Sequence, residues 1–300
     1  MKYVKPALTR DKQIELLERR GMDCSNRALV EHSLKHISYY RLRAYWMPYE
    51  VPAVDEGDHA FREATKFEDV LALYEFDRHL RLLLIDAIER IEVSFRTSWS
   101  QTMALRHGPH GYLQTNLHDQ RQHSYLLDIL QEEISRSKDT FIKHYTSKYT
   151  EPVDPPIWMV SELLSLGQLS KWYKALKPRA DQKAIAKPYG LDDRVLGSFL
   201  HHLTHIRNIC AHHGRLWNRQ FTVTLRLPKT PTDLSINFNQ DKYAQRRVYN
   251  TLVLVNRLMC IISPNSEWKQ HLVSLIEDTP QVKPHVMGFP ENWRNLMIWA

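Results

Sequence analysis

TKFEDVLALYEFDRHLRLLLIDAIERIEVSFRTSWSQTMALR, running from Thr65 to Arg106, is the stretch on which the fold turns. Thr65-Lys-Phe-Glu68 has the spacing of a capping box, in which a hydroxyl and a carboxylate three residues apart satisfy each other's backbone N–H groups. Beyond it, Leu73, Phe76, Leu80, Leu84, Ala87, Ile91, Phe95 and Trp99 return at three- and four-residue steps. That period belongs to a helix with one buried face, and nothing interrupts it before Gly108-Pro109. A second face carries Glu89, Glu92 and Arg96 at i, i+3 and i+7. Glu92 and Arg96 read either as a solvated pair worth roughly 0.2–0.5 kcal/mol, or as the lining of a cleft in which Arg96 touches phosphate and Glu92 orients a basic group.

The flanking sequence is punctuated in the same way. Thr9 is placed to cap a helix over residues 10–20, with Ile14, Leu16 and Leu17 apolar and Gly21 as its stop. Ser25 opens a second helix that runs toward Tyr39-Tyr-Arg-Leu-Arg-Ala-Tyr-Trp-Met-Pro48, an aromatic and arginine mixture suited to base stacking and, more commonly, to packing. Residues 51–64 read as an exposed loop. Downstream, Asp119 and Asp139 look like caps, and Pro152, Pro155 and Pro156 enforce an extended connection. A short helix over 157–164 is expected to stop near Gly167, with another over 168–176 ended by Pro178. Asp192 caps a further helix, Phe221-Thr-Val-Thr-Leu-Arg-Leu227 alternates like a short strand, and helices return over 241–262 and 266–277 before a tryptophan-bearing tail. With only nine glycines among 300 residues, this succession predicts an all-α helical bundle holding at most one short strand. No repeat or linker divides it. The expected organisation is one domain over 1–300, with an N-terminal helical elaboration at 1–64, a core at 65–262 and a helical tail at 263–300.

A hydrophobic content of 43% suffices for a large core. The net charge of +7 and pI near 9.2 favour a polyanionic partner. Cys24, Cys210 and Cys260 are odd in number and far apart, which suits a reducing cytoplasm, and all three read as small buried hydrophobes. The segment Met1-Lys-Tyr-Val-Lys-Pro6 lacks a signal peptide's apolar core, and the most apolar late stretch is broken by Asn256 and Arg257, so neither export nor membrane spanning is expected.

The chemistry-bearing stretch is His205-Ile-Arg-Asn-Ile-Cys-Ala-His-His-Gly-Arg-Leu-Trp-Asn-Arg219. No acid occurs between Asp193 and Asp233, whereas Arg194, Arg207, Arg215, Arg219, Arg226 and Lys229 all do. Arg207 offers a permanently charged fork for a phosphate, and His212 can take and return a proton near neutral pH. Asn208 shares a helical face with His212 at i, i+4, and a helix ended by Gly214 would put His212 and His213 in its last turn, where the dipole favours imidazolium. These types suit RNA cleavage by the neighbouring 2′-hydroxyl, which needs a base and an acid and no metal. A structural capping role fits the spacing equally well. Zinc held by His201, His205 and His212 lacks a fourth ligand, a nucleotidyltransferase would rest on Asp192-Asp193 without a Gly-Ser loop, and a module that binds RNA without cutting keeps the same basic cleft.

The string Arg207 to Arg219 resembles the signature of the Abi-like family, the AbiD/AbiF type of abortive-infection proteins. Tyr40-Arg-Leu-Arg-Ala-Tyr-Trp46, Leu73-Tyr-Glu-Phe-Asp-Arg-His-Leu-Arg81, Ile91-Glu-Val-Ser-Phe-Arg-Thr97 and Pro156-Ile-Trp-Met-Val-Ser-Glu162 with Gly167-Gln-Leu-Ser170 resemble it in the same order. That family is similar to HEPN-domain proteins, helical bundles whose Arg-x4-6-His motif serves metal-independent ribonucleases. The resemblance implies Arg207 and His212 as the catalytic pair with Asn208 beside them; the charge and face patterns read above add His213, Arg215, Arg219, Arg96, Glu92 and His205 in binding or supporting places. It also implies RNA damage in phage defence without a cofactor, an RNA or protein antitoxin, and a homodimer that shares one cleft. Within a single chain, His213 or His205 is the alternative second acid-base group.

Overall fold

A computed structural model describes residue 2 and residues 6–51 and 59–300. Among them are thirteen α-helices and no β-strand, so the fold is all-α, and pairing is limited to three isolated bridges. Two compact units emerge, residues 1–80 with 274–283 and residues 81–273 with 284–300. Half of the loop expected over 51–64, and most of the N-terminal stretch read for a signal, lie outside the described residues. No helix among the described residues is long and apolar enough to cross a membrane.

In the first unit, α1 (Arg10–Arg19) is capped by Thr9, whose hydroxyl accepts from the Lys12 amide, and ends before Gly21 at φ +93°. The cap of α2 (Arg27–His36) is Asn26, one residue beyond the expected Ser25. A left-handed Ser38 at φ +76° then separates α2 from α3 (Tyr39–Trp46). The aromatic stretch mainly packs: Tyr45 and Trp46 are buried, Tyr45 donates to the buried Asp77 carboxylate at 2.6 Å, and Tyr40 alone among the tyrosines of α3 is fully exposed. The long helix α4 (Phe67–His107) starts here and continues into the second unit. Its eight expected core positions, Leu73 through Trp99, are all buried. The expected capping box does not form, because Thr65 is itself buried and its hydroxyl donates back to the Arg62 carbonyl at 2.7 Å.

The second unit contains α5 (Gln120–Arg136), capped by Asp119, and α6 (Thr140–Lys148), at whose N-cap Asp139 accepts from Ser137 instead of from the helix. After α7 (Ile157–Val160) come α8 (Leu166–Ala175), α9 (Arg179–Ala186) and α10 (Asp193–Ala211), then α11 (Thr232–Ser235), α12 (Tyr249–Ile262) and α13 (Trp268–Glu277), the last ending in the first unit. Gly167 stops nothing. Ser165 and Gln168 close a capping box around the start of α8, and Gly167 sits in its first turn. The core of α4, α8 and α10 is aromatic, with Trp99 against Trp172 and Phe95 edge-on to Tyr173.

Residues 221–227 are not a strand, although their alternation is real: Phe221 and Leu225 are buried while Thr222, Thr224 and Arg226 are exposed. Their backbone is satisfied by helices, not by a ladder. The Val223 carbonyl accepts from His202 Nδ1, the Arg226 amide donates to Ser198, and Phe221 exchanges bonds with the Arg246 backbone and guanidinium. Cys24 and Cys210 are buried, and burial pushes the Cys24 thiol up to about 12, whereas Cys260 is exposed, contrary to expectation, on the solvent side of the last turn of α12.

Candidate functional site

The site is built on α10, whose first turn is anchored at both ends of a carboxylate pair. Asp192 accepts from the Arg194 amide, and the buried Asp193 takes a two-pronged grip from Arg179 at 2.7 and 3.1 Å, which holds its carboxyl below the usual range. Arg207 and Asn208 lie exposed one turn before the other end. There the helix stops by a Schellman arrangement: the His213 amide donates to the Cys210 carbonyl at 3.0 Å and the Gly214 amide to the Ile209 carbonyl at 2.7 Å. The left-handed position is taken by His213 at φ +56°, not by Gly214. His212 is therefore the C-cap, and His213 stands beyond the helix instead of in its last turn. Both are exposed.

What places Arg207 is the approach of α8 to α10. A Cβ on Gly167 would lie 3.1 Å from the Thr204 methyl, and one on Gly197 would lie 3.3 Å from the Tyr173 ring, so each helix offers a glycine to the other. Arg207 follows Thr204 by three residues and so projects from the same side of α10. It meets α4 there. Burial pushes the Glu92 carboxyl up, and the fields of Arg96 and Arg207, with a bond from the Leu166 amide, oppose that rise. Glu92 thus lies in the field of Arg207, although among the described residues no hydrogen bond or ion pair joins the two, and the Arg207 Nη1 reaches Asn208 Oδ1 at 3.3 Å instead.

Arg96, read either as the partner of Glu92 or as a phosphate contact, makes the pair and is spent inside the protein. Its guanidinium donates to Glu92 at 3.0 Å, the Leu164 carbonyl at 3.0 Å and Glu162 at 3.4 Å, and only 14% of its side chain is exposed. It ties α4 to the segment leading into α8. Glu162 was missed by the sequence reading of the cleft, although it closes the Pro156–Glu162 motif; no periodicity marks an acid for an arginine sixty-six positions away.

The remaining cluster residues form a second patch. His205 is half-buried, and burial lowers its pKa, helped by Arg219 and His201. Buried Leu216 and Trp217 pin the chain after Gly214, so that Arg219 comes back to donate to the Arg215 carbonyl at 3.4 Å, with both arginines half-buried. His202, on the inner face, was not singled out from sequence. It is buried with Nδ1–H on the Val223 carbonyl at 2.8 Å and Nε2 accepting from Thr251 at 2.7 Å, and burial lowers its pKa to about 4. No three His, Cys, Asp or Glu side chains among the described residues gather in a way that could hold a metal ion, so His201, His205 and His212 do not form the zinc triplet weighed from their spacing. Among the described residues, the His212 imidazole has no hydrogen-bond partner to fix its orientation.

The family model described as Abi-like protein matches residues 32–218, from α2 through the turn after α10. No curated protein and no solved structure matches the chain.

Proposed function

The chain belongs to the Abi-like protein family, a membership that points to phage defence by abortive infection, and from that premise we propose that it is a metal-independent RNA endonuclease of the HEPN type. The observation that carries the reading is the exposed group of Arg207, Asn208 and His212 at the end of α10, inside a sequence interval free of acids, with the half-buried Glu92 in the field of Arg207. Arg207 clamps a phosphate whose charge rises in the transition state. One imidazole removes the 2′-hydroxyl proton as that oxygen attacks phosphorus, and a second imidazolium protonates the departing 5′-oxygen as the P–O5′ bond breaks. The products are a 2′,3′-cyclic phosphate and a 5′-hydroxyl. Arg215 and Arg219 bind the backbone of the RNA, and an antitoxin restrains the activity until infection.

Incubation of the purified protein with end-labelled RNA in EDTA tests this. Cleavage that persists and leaves 5′-hydroxyl ends supports it, and RNA with a 2′-deoxy sugar at the cut position should be inert. Products with 5′-phosphates would instead indicate attack by water. A second reading, binding without cleavage, has one observation in its favour: among the described residues, none hydrogen-bonds the His212 imidazole to orient it. It predicts RNA binding with no cleavage at any protein concentration.

A further inference from the structure

Near the N-terminal end of α10, far from the motif, a cavity of about 200 Å³ opens among α11, α12, the start of α13 and the tail at 297–298. Two asparagines shape its walls. Asn256 donates to the Ile298 carbonyl at 2.8 Å, and Asn237 donates to the Asp233 carbonyl at 2.6 Å while accepting from the Ile298 amide at 3.4 Å. Those polar groups are satisfied. Arg257, in the same wall, is not: among the described residues it has neither a hydrogen bond nor an ion pair, and its Nε is wholly buried. The one carboxylate of the lining, Asp233, is exposed at the rim and makes no ion pair with it. A partly desolvated guanidinium with no acceptor is costly, because hydration is lost and nothing replaces it.

Lys269 brings a second positive charge to this cavity, with one of its donors on the Ala300 carbonyl. Leu234 and Ile298 supply an apolar side. The volume equals that of about seven waters at roughly 30 Å³ each, and falls below the roughly 300–1,000 Å³ of drug-sized pockets. We propose that this cavity binds the oxyanion of a small molecule, a phosphomonoester of sugar size, with the Arg257 fork on two of its oxygens and Lys269 as the second charge. A planar fork matches two phosphate oxygens where a lone ammonium would not. The site is separate from the motif. Arg257 Nη2 lies 3.8 Å from the Cβ position of Gly190, just ahead of α10, and the length of that helix puts it roughly 20 Å from Arg207.

The test is calorimetric titration of the full chain with inorganic phosphate, with ribose 5-phosphate and with an uncleavable 2′-O-methyl RNA, comparing the parent with Arg257→Gln, Arg257→Lys and, as a charge control on exposed α6, Lys143→Gln. Ribose 5-phosphate should bind once per chain to the parent and to Lys143→Gln. Arg257→Gln should weaken that binding at least about tenfold, since a hydrogen bond to a charged group is lost, and Arg257→Lys should fall between. Without probe, Arg257→Gln should melt no lower than the parent, because no intramolecular partner is lost. Equal binding by parent and Arg257→Gln overturns the proposal, as does the absence of saturable binding to the parent. A melting temperature several degrees lower in Arg257→Gln alone would give the guanidinium a folding role instead. Loss of RNA binding in Arg257→Gln, without binding of either small phosphate, would make the site an RNA-backbone contact and overturn the small-molecule assignment.

Discussion

At the scale of single residues, His212 and His213 are neighbours with different work. His212 keeps ordinary backbone geometry as the C-cap, and its free imidazole is the base or acid of the proposed cleavage. Replacing His212 or Arg207 by alanine should lower the cleavage rate by about 10²–10⁴-fold, the usual worth of a positioned acid-base group, while RNA affinity largely persists through Arg215 and Arg219. Gel-shift and cleavage assays on the same preparations check both halves, and a His212→Ala protein that cuts like the parent would sink the chemistry. His213 instead occupies the left-handed turn, which costs a side chain with a Cβ about 1–2 kcal/mol. Because neither variant keeps the imidazole, His213→Gly should be more stable than His213→Ala by about 1 kcal/mol in urea denaturation. Equal stability would show that φ +56° is not strained there.

At the scale of elements, the position of the motif depends on how closely α8 approaches α10. Gly167→Ala gains helix propensity but sets its methyl 3.1 Å from that of Thr204, so the balance should depend on the neighbour. In a double-mutant cycle, Gly167→Ala should be more favourable in a Thr204→Ser background by about 0.5–1 kcal/mol; additive effects would remove this contact as the spacer. The sequence could not show this role, because a glycine after a short apolar run looks the same as a stop. Thr65 and residues 221–227 misled for a related reason: spacing records a local possibility, and burial under another element decided otherwise. By contrast, the α4 core register and the caps Thr9, Asp119 and Asp192 were legible, since each is settled within a few turns of chain. Of the site, the α10 cluster was legible and its surroundings were not, as Glu162 and Gly167 matter only through residues distant in sequence. Buried histidines add a pH dependence. Burial lowers both His202 and His118, the latter stacked on His123 at 4.5 Å with its Nε2 unbonded, to about 4 from an ordinary 6.5. Between those values the unfolded chain binds more protons than the folded one, so stability is full above pH 6.5 and falls as pH drops toward 4. The loss is on the order of 3 kcal/mol for each imidazole. The urea midpoint should therefore drop steeply from pH 7 to pH 4.5, and a less steep drop in His202→Gln would assign part of the slope.

At the scale of the whole molecule, the proposed chemistry asks for more groups than one motif gathers. Arg207 and His212 are five positions apart, about 140° around a regular helix, and Arg207 projects on the Thr204 side of α10 with its charge acting on Glu92, while His212 has already left α10 as its cap. One phosphate would receive the arginine or the histidine of a chain, but not a base, an acid and a clamp together. His205 is the nearest reserve, yet burial and the field of Arg219 both lower its pKa, which disfavours the protonated form that an acid requires. His213 is committed to the turn. A two-fold partner resolves the shortage, because pairing two α10 ends across the axis brings two histidines and two arginines to one cleft and gives each His212 a neighbour to orient it. This predicts a homodimer in light scattering and a specific activity that falls when the protein is diluted below its dimer dissociation constant. It also predicts that inactive His212→Ala chains, mixed in excess with the parent and allowed to exchange, lower the parent's activity by capturing its subunits in crippled pairs. A protein that stays monomeric at the concentrations where it cuts RNA, with a rate strictly proportional to concentration and indifferent to added His212→Ala chains, would mean that the site is complete within one chain and that His205 or His213 is its second proton carrier.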